Sequence, residues 1–358
     1  MVVYKNKRKK LYSISNNFRG GGANLKICLI DVDGHNFPNL PLMKISAFHK
    51  SLGDDVEWFF PLNRYDRVYM SKVFDFTPDY EICIQADEII KGGTGYGLEN
   101  KLPYEIENIY PDYELYGIKN TAYGFLTRGC PRNCPFCIVS KKEGRYSYQV
   151  ASLRQFWNGQ KEIKLLDPNL LACPDKLELL DQLIESKAWI DFTQGLDIRL
   201  MADEVIDKIK QLKIKMLHFA WDTDEQSDLI IQNLKYFKKQ TNINMRKTRV
   251  YVLVNYNTNF EFDLYRIYKL KELDYDPYVM IYDKQNAPKK IRELQRWVNN
   301  KFIFRSCERF EDYDNFDNIL QMQIKNLENG YKAILNERII KKLEELGGKE
   351  NDKKRMEG

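Results

Sequence analysis

The sequence predicts an α/β protein built on parallel sheets, and three observations carry that expectation. Six short apolar runs follow one another from Ala122 onward, at residues 123–127, 163–167, 189–194, 216–221, 249–254 and 278–283. Amphipathic stretches of helical period separate most of them. A smaller strand–helix–strand pattern precedes them in residues 25–97. Strands that alternate with helices pair in parallel, because a parallel neighbour is reached only through a long crossover.

Residues 1–24 begin with Lys5, Lys7, Arg8, Lys9 and Lys10 and end in Gly20, Gly21 and Gly22. They read as a mobile basic tail, since the apolar stretch of a signal peptide is missing. The whole chain carries 56 basic against 51 acidic residues, a balance that makes no case for nucleic acid and leaves a contact by the basic tail open. No run of 18 apolar residues marks a membrane span, so no membrane partner is expected. Seven cysteines in 358 residues, an odd number in a long chain, argue against a disulfide framework and for a reducing, cytoplasmic compartment.

Residues 25–97 read as a small Rossmann-like unit. The run 25–30 is a buried strand ending in the turn signal Asp31, Val32, Asp33, Gly34. Leu42, Ile45 and His49 then share one helical face, with Gly53 placed to end the helix. Further strands are expected at 56–60 and 81–84, and the unit closes in the glycine-rich run 88–97. Residues 98–121, with Pro103 and Pro111 and no periodicity, read as a linker.

The repeated units occupy residues 122–310. Leu177, Leu180, Leu183 and Ile184 share a helical face, as do Val205, Ile209 and Leu212, and as do Ile230, Leu234 and Phe237. Two more helical stretches, 260–273 and 289–300, follow the fifth and sixth strands. Residues 302–307 read as a short returning strand, with Arg305 able to point inward. The remainder, 311–358, reads as a helical extension ending in a charged tail.

Chemistry concentrates after the first of the six strands, where Cys130, Cys134 and Cys137 stand at C-x3-C-x2-C spacing. Clustered thiolates select soft or borderline metals, chiefly iron–sulfur clusters and zinc. Pro131 and Pro135 keep the segment out of helix and ladder. A four-iron cluster normally takes four thiolates, and here only three are close. One metal position would stay open, the mark of a site that does chemistry. Zinc would need a fourth ligand, and none of the three histidines (His35, His49, His218) lies within 80 residues after Cys137. Parallel α/β proteins place their chemistry at the carboxyl ends of strands. Those ends carry Asp167 and Asn169, Gln194, Asp197 and Arg199, Asp222, Asn255 and Tyr256, and Asp283. Asp197, Arg199 and Asp222 follow their apolar strands most directly, although strand ends are ordinarily polar where they meet solvent.

The cysteine loop, with Phe136 before its third cysteine, resembles the C-x3-C-x-aromatic-C signature of the radical S-adenosylmethionine (SAM) enzymes. The resemblance implies a partial (β/α)6 barrel over residues 122–310, with the small Rossmann-like unit before it and the helical extension after it. It implies a [4Fe–4S] cluster on Cys130, Cys134 and Cys137, whose open iron chelates SAM, with Phe136 near the adenine. One electron from an external flavodoxin- or ferredoxin-like reductant would then cleave SAM to a 5′-deoxyadenosyl radical acting on an unidentified substrate. The N-terminal unit is similar in order and position to the cobalamin-binding-like domain of many such enzymes, with Gly92 and Gly93 matching its late glycine pair. Asp33, Gly34 and His35 follow the cobalamin motif D-x-H-x-x-G, but Pro38 replaces its glycine, which weighs against bound cobalamin.

Two departures stand out. The glycine-glycine-glutamate motif that holds the SAM amino group is replaced by Leu166, Asp167, Pro168 and Asn169, where Asp167 could accept from that ammonium instead. The strand-five glycine motif reads Leu253, Val254, Asn255, Tyr256, Asn257. The domain order is like that of methylthiotransferase- and methyltransferase-type members, and nothing in the sequence selects one reaction. The rival class is a non-catalytic iron–sulfur or zinc binding protein that uses the same loop for sensing or electron transfer.

Overall fold

A computed structural model of the chain describes residues 24–34, 37–80 and 82–313. The chain divides into two compact units. One runs to Tyr251 and takes back Leu270–Asp276; the other holds Val252–Lys269 and the chain from Pro277 onward.

The N-terminal sheet has four parallel strands, β1 (Lys26–Asp31), β2 (Asp55–Trp58), β3 (Arg64–Ser71) and β4 (Gln85–Gly92), in the order β2-β1-β3-β4. Helix α1 (Leu40–Ser51) crosses from β1 to β2. It starts where the Asn39 side chain accepts the Leu42 amide, and Pro41 sits in its first turn. Leu42, Ile45 and His49 are buried as the spacing predicted. His49 is a structural residue, its ring held by Asp54 at 2.7 Å and the Tyr69 hydroxyl at 2.9 Å.

Strand β3 escaped the sequence reading because Arg64, Asp66 and Arg67 break its apolar run. The sheet satisfies those charges locally: Asp66 accepts the Lys26 amide, and Arg67 reaches Glu88 at 2.6 Å. Of the strand expected at 81–84, the described residues 82–84 are instead connecting chain, in which Ile82 is half exposed, and the strand lies at β4, in what had read as glycine-rich closure. At the carboxyl ends of β1 and β3, Asp33 accepts the Val73 and Phe74 amides, and Tyr116 donates to Asp31. His35, of the cobalamin-like motif, lies outside the described residues.

All six later strands are present and form one parallel sheet in sequence order: β5 (Thr121–Gly124), β6 (Glu162–Leu165), β7 (Trp189–Phe192), β8 (Lys213–Ala220), β9 (Thr248–Val254) and β10 (Asp276–Ile281). Helices α2 (Lys176–Ser186), α3 (Asp203–Gln211), α4 (Ser227–Thr241), α5 (Phe260–Glu272) and α6 (Lys289–Asn299) follow β6 to β10 in turn. Ile230, Leu234 and Phe237 of α4 are buried as expected. In α2, Leu180 and Leu183 are buried as expected, joined by Leu179, while Leu177 and Ile184 are half-buried.

Residues 302–307, expected to return a strand, instead form the short helix α7 (Lys301–Ser306) and its C-cap Cys307; the Asn300 side chain caps the start by accepting the Phe302 and Ile303 amides. Of the helical extension expected over 311–358, Glu311 and Asp312 belong to a 3-10 turn (Phe310–Asp312), and residues 314–358 lie outside the described residues. No helix among the described residues is long and apolar enough to cross a membrane.

Candidate metal centre

Strand β5 stops at Gly124, three residues short of the apolar run. Two features turn the chain out of the sheet. The Phe156 ring lies so close over Gly124 that a Cβ there would sit 2.3 Å from it. Beyond it, the buried Asp167 carboxylate accepts from the Leu126 amide at 3.1 Å, the Thr127 amide at 2.5 Å and the Thr127 hydroxyl at 2.7 Å. Burial pushes the Asp167 carboxyl up to about 6, against those hydrogen bonds. Asp167 therefore serves the start of the cysteine loop, and its better-placed oxygen is engaged there.

Thr127 and Arg128 pair antiparallel with Tyr148 and Gln149, which closes the base of the loop. Glu143 grips both sides, bonding Arg128 at 2.6 Å and accepting the Gly129 amide at 3.1 Å. The Cys130 amide donates to Gly144 at 3.2 Å, and the Cys137 amide to Cys134 at 3.0 Å. Gly129 has φ +82°, and a Cβ there would come within 2.1 Å of the Tyr146 carbonyl oxygen. Gly129→Ala is accordingly expected to cost more than about 1 kcal/mol and to lower metal retention, read by thermal melting and by iron content after reconstitution. Unchanged values for both would contradict this account of the loop.

The three cysteines are half-buried and in no disulfide. Burial raises the Cys134 thiol, and the neighbouring Cys137, Asp222 and Cys130 raise it further, while Arg199 opposes them. Cys137 is raised by burial first, then by Cys130, Asp222 and Glu143, against a backbone hydrogen bond. The predicted residues Asp222 and Arg199 thus lie within the electrostatic reach of the loop thiols. The Asn169 amide nitrogen is 3.5 Å from the Cys130 sulfur, and its Oδ1 is buried with no hydrogen-bond partner. Phe136 is half-buried between Cys134 and Cys137.

Asp197 is placed differently from expectation, as the centre of an ion-pair triad. It binds Arg132 at 2.5 Å and Arg199 at 2.7 Å. Burial works against ionisation there, but hydrogen bonds and charge from Arg199 and then Arg132 outweigh it and hold the carboxyl below its usual range. Arg132 stands between Cys130 and Cys134, so the triad ties the cysteine loop to the chain beyond β7. Sequence reading missed Arg132 and Glu143; the only available signal was that both are charged residues inside or just after a metal motif.

Among the described residues, no three His, Cys, Asp or Glu side chains converge on a point that one metal ion could occupy. A zinc ion demands such convergence, since it holds each sulfur at about 2.3 Å. A cubane cluster asks for something else, one thiolate at each of several separate irons. Three soft thiols spread along an irregular loop, with a side-chain amide at one sulfur and guanidinium groups close by, suit that second demand. Three thiols on one irregular loop are a donor set of the kind that soft metals take.

Fold and site together define a parallel α/β protein with a three-cysteine loop at the carboxyl end of a strand. Comparison with models of known protein families finds no match, and comparison with curated proteins finds none.

Proposed function

We propose that the chain is a radical SAM enzyme whose six-stranded sheet forms a partial (β/α)6 barrel. The observation that carries this reading is the C-x3-C-x-aromatic-C loop leaving the first of six parallel strands. Cys130, Cys134 and Cys137 would hold a [4Fe–4S] cluster and leave one iron to SAM. When bound, that group supplies the single electron that cleaves SAM reductively and starts radical chemistry on a substrate not yet known.

The chain's own residues prepare the position. Asp167 and Glu143 fix the two ends of the loop. Asp197 orients Arg132 and Arg199, and a guanidinium beside a thiolate cluster offsets part of its negative charge. Asn169, rather than Asp167, has a free buried acceptor where the family's amino-group motif would stand. Asp222 adds a carboxylate near Cys134 and Cys137.

Anaerobic reconstitution with iron and sulfide, followed by SAM and a chemical reductant, tests the reading. Release of 5′-deoxyadenosine is the expected result. A protein that takes up one zinc, or whose cluster leaves SAM intact, belongs to the non-catalytic class instead.

A further inference from the structure

Parallel sheets flanked by helices are ordinarily apolar on both faces. One face of β5–β9 departs from that. In register, Tyr123, Lys164 and Asp191 lie side by side on β5, β6 and β7. Asp191 pairs with Met216, two residues before His218, and His218 pairs with Arg249, so the polar row continues on the same face. The other face carries Ile163, Ile190, Phe192, Leu217 and Phe219, all buried, with Phe219 meeting Phe237 of α4 at 5.3 Å.

His218 is the centre of the row and only 5% exposed. Its Nδ1 lies 3.1 Å from the Phe192 carbonyl oxygen, and because a carbonyl can only accept, Nδ1 carries the proton. Nε2 is then a bare lone pair, to which no described residue donates. Burial, with help from Arg249, holds the ring's pKa down to about 4, so it stays neutral at physiological pH. The ring cannot turn freely: it stacks on Tyr251 at 5.0 Å and 10°, and the Tyr251 hydroxyl is tied to the Thr193 carbonyl at 2.8 Å.

The neighbours repeat the pattern. Asp191 Oδ1, 3.6 Å from His218 Nδ1, is buried with no close hydrogen-bond partner, and the Thr193 side chain lies near enough to oppose the rise that burial imposes on the carboxyl. The Lys164 ammonium lies over the Tyr123 and Phe37 rings at 5.6 and 6.0 Å and has no ion pair among the described residues. Buried polar atoms are costly to leave unmet, and several on one face point to an occupant that meets them.

We propose that this face is a ligand position of its own, where a small neutral molecule donates N–H or O–H bonds to His218 Nε2 and Asp191 Oδ1 and offers an oxygen to Lys164. Hydroxyl- or carboxamide-bearing compounds have that chemistry. Lys164 and Asp191 already balance one another, which disfavours a ligand of net charge. The position does not depend on metal in the cysteine loop, so it stands or falls separately from the proposed reaction.

The chain has three histidines, and nitrogen NMR of the full chain can assign His218 by comparison with His218→Asn. That variant keeps a donor for the Phe192 carbonyl and removes Nε2. Glycolamide, which has a hydroxyl and a carboxamide, is the probe, and N,N-dimethyl-2-methoxyacetamide is its counterpart without donors. An unprotonated Nε2 signal that moves saturably with glycolamide, and at least about tenfold less readily with the donor-free compound, is expected. Glycolamide binding should be lost in His218→Asn and retained in His218→Gln, whose Oε1 replaces the lone pair, with both variants melting near the parent. A protonated Nε2, a signal indifferent to glycolamide, or equal response to both compounds would overturn the proposal. So would an Nε2 already bonded to an N–H of the chain itself.

Discussion

Cys134→Ala is expected to abolish both iron retention and SAM cleavage while leaving the chain folded. Each iron of a cubane depends on its own ligand, so losing one thiolate of three leaves two irons without protein bonds. The Cys134 thiol also feels the charges of Asp222, Arg199 and both other cysteines, which places it among them. Folding should survive because the loop's anchors are elsewhere, in Asp167, Glu143 and the Gly144 carbonyl. Iron content after reconstitution and 5′-deoxyadenosine release should both fall to background, with a melting temperature close to the parent's. The exposed Cys83 supplies the control, since Cys83→Ala should retain both. Parental iron and turnover in Cys134→Ala would rule out the ligand assignment.

The second large effect concerns stability. Asp167→Ala would leave the Leu126 and Thr127 amides and the Thr127 hydroxyl without their acceptor, at about 1–3 kcal/mol for each buried group left unmet. Asp167 also gives a signed pH dependence. Its carboxyl rises from 3.8 to about 6 on folding, so the native state holds the proton more tightly than the unfolded chain does. Its contribution is therefore fully present below about pH 4 and is lost as pH rises through about 6, by roughly 3 kcal/mol in all. Urea denaturation of the parent and of Asp167→Asn between pH 4 and 7 separates this residue from other titrations. The parent should lose stability relative to the variant across that window; parallel curves would show that burial does not govern this carboxyl.

Much of the architecture was legible from periodicity. All six strands after Ala122 and the helices between them announced themselves because apolar runs alternate with stretches such as Ile230, Leu234 and Phe237, whose helical spacing has one meaning. Strand β3 was illegible for a physical reason: Arg67 and Asp66 look like loop residues until Glu88 and the Lys26 amide are known to lie beside them. Residues 302–307 misled because Phe302, Ile303 and Phe304 are as apolar as a strand, and the Asn300 cap that makes them helical is a local signal easily passed over.

The site divides in the same way. The three cysteines are visible as a cluster in the sequence, because their spacing is a property of the chain. The partners of Asp197 could not, since Arg132 lies 65 residues away in sequence and reaches it only through the fold. Asp167 was read as a ligand-facing carboxylate, whereas its hydrogen bonds run to Leu126 and Thr127. A strand-end carboxylate looks the same in sequence whichever way it turns.

The most direct measurement is the low-temperature paramagnetic spectrum of the reduced, reconstituted protein, recorded before and after SAM is added. A four-iron signal that changes on adding SAM is predicted, because in the proposed cluster one iron would have no side chain of its own. A signal that SAM leaves unaltered, or a fourth protein ligand found on the metal of Cys130, Cys134 and Cys137, would contradict the account.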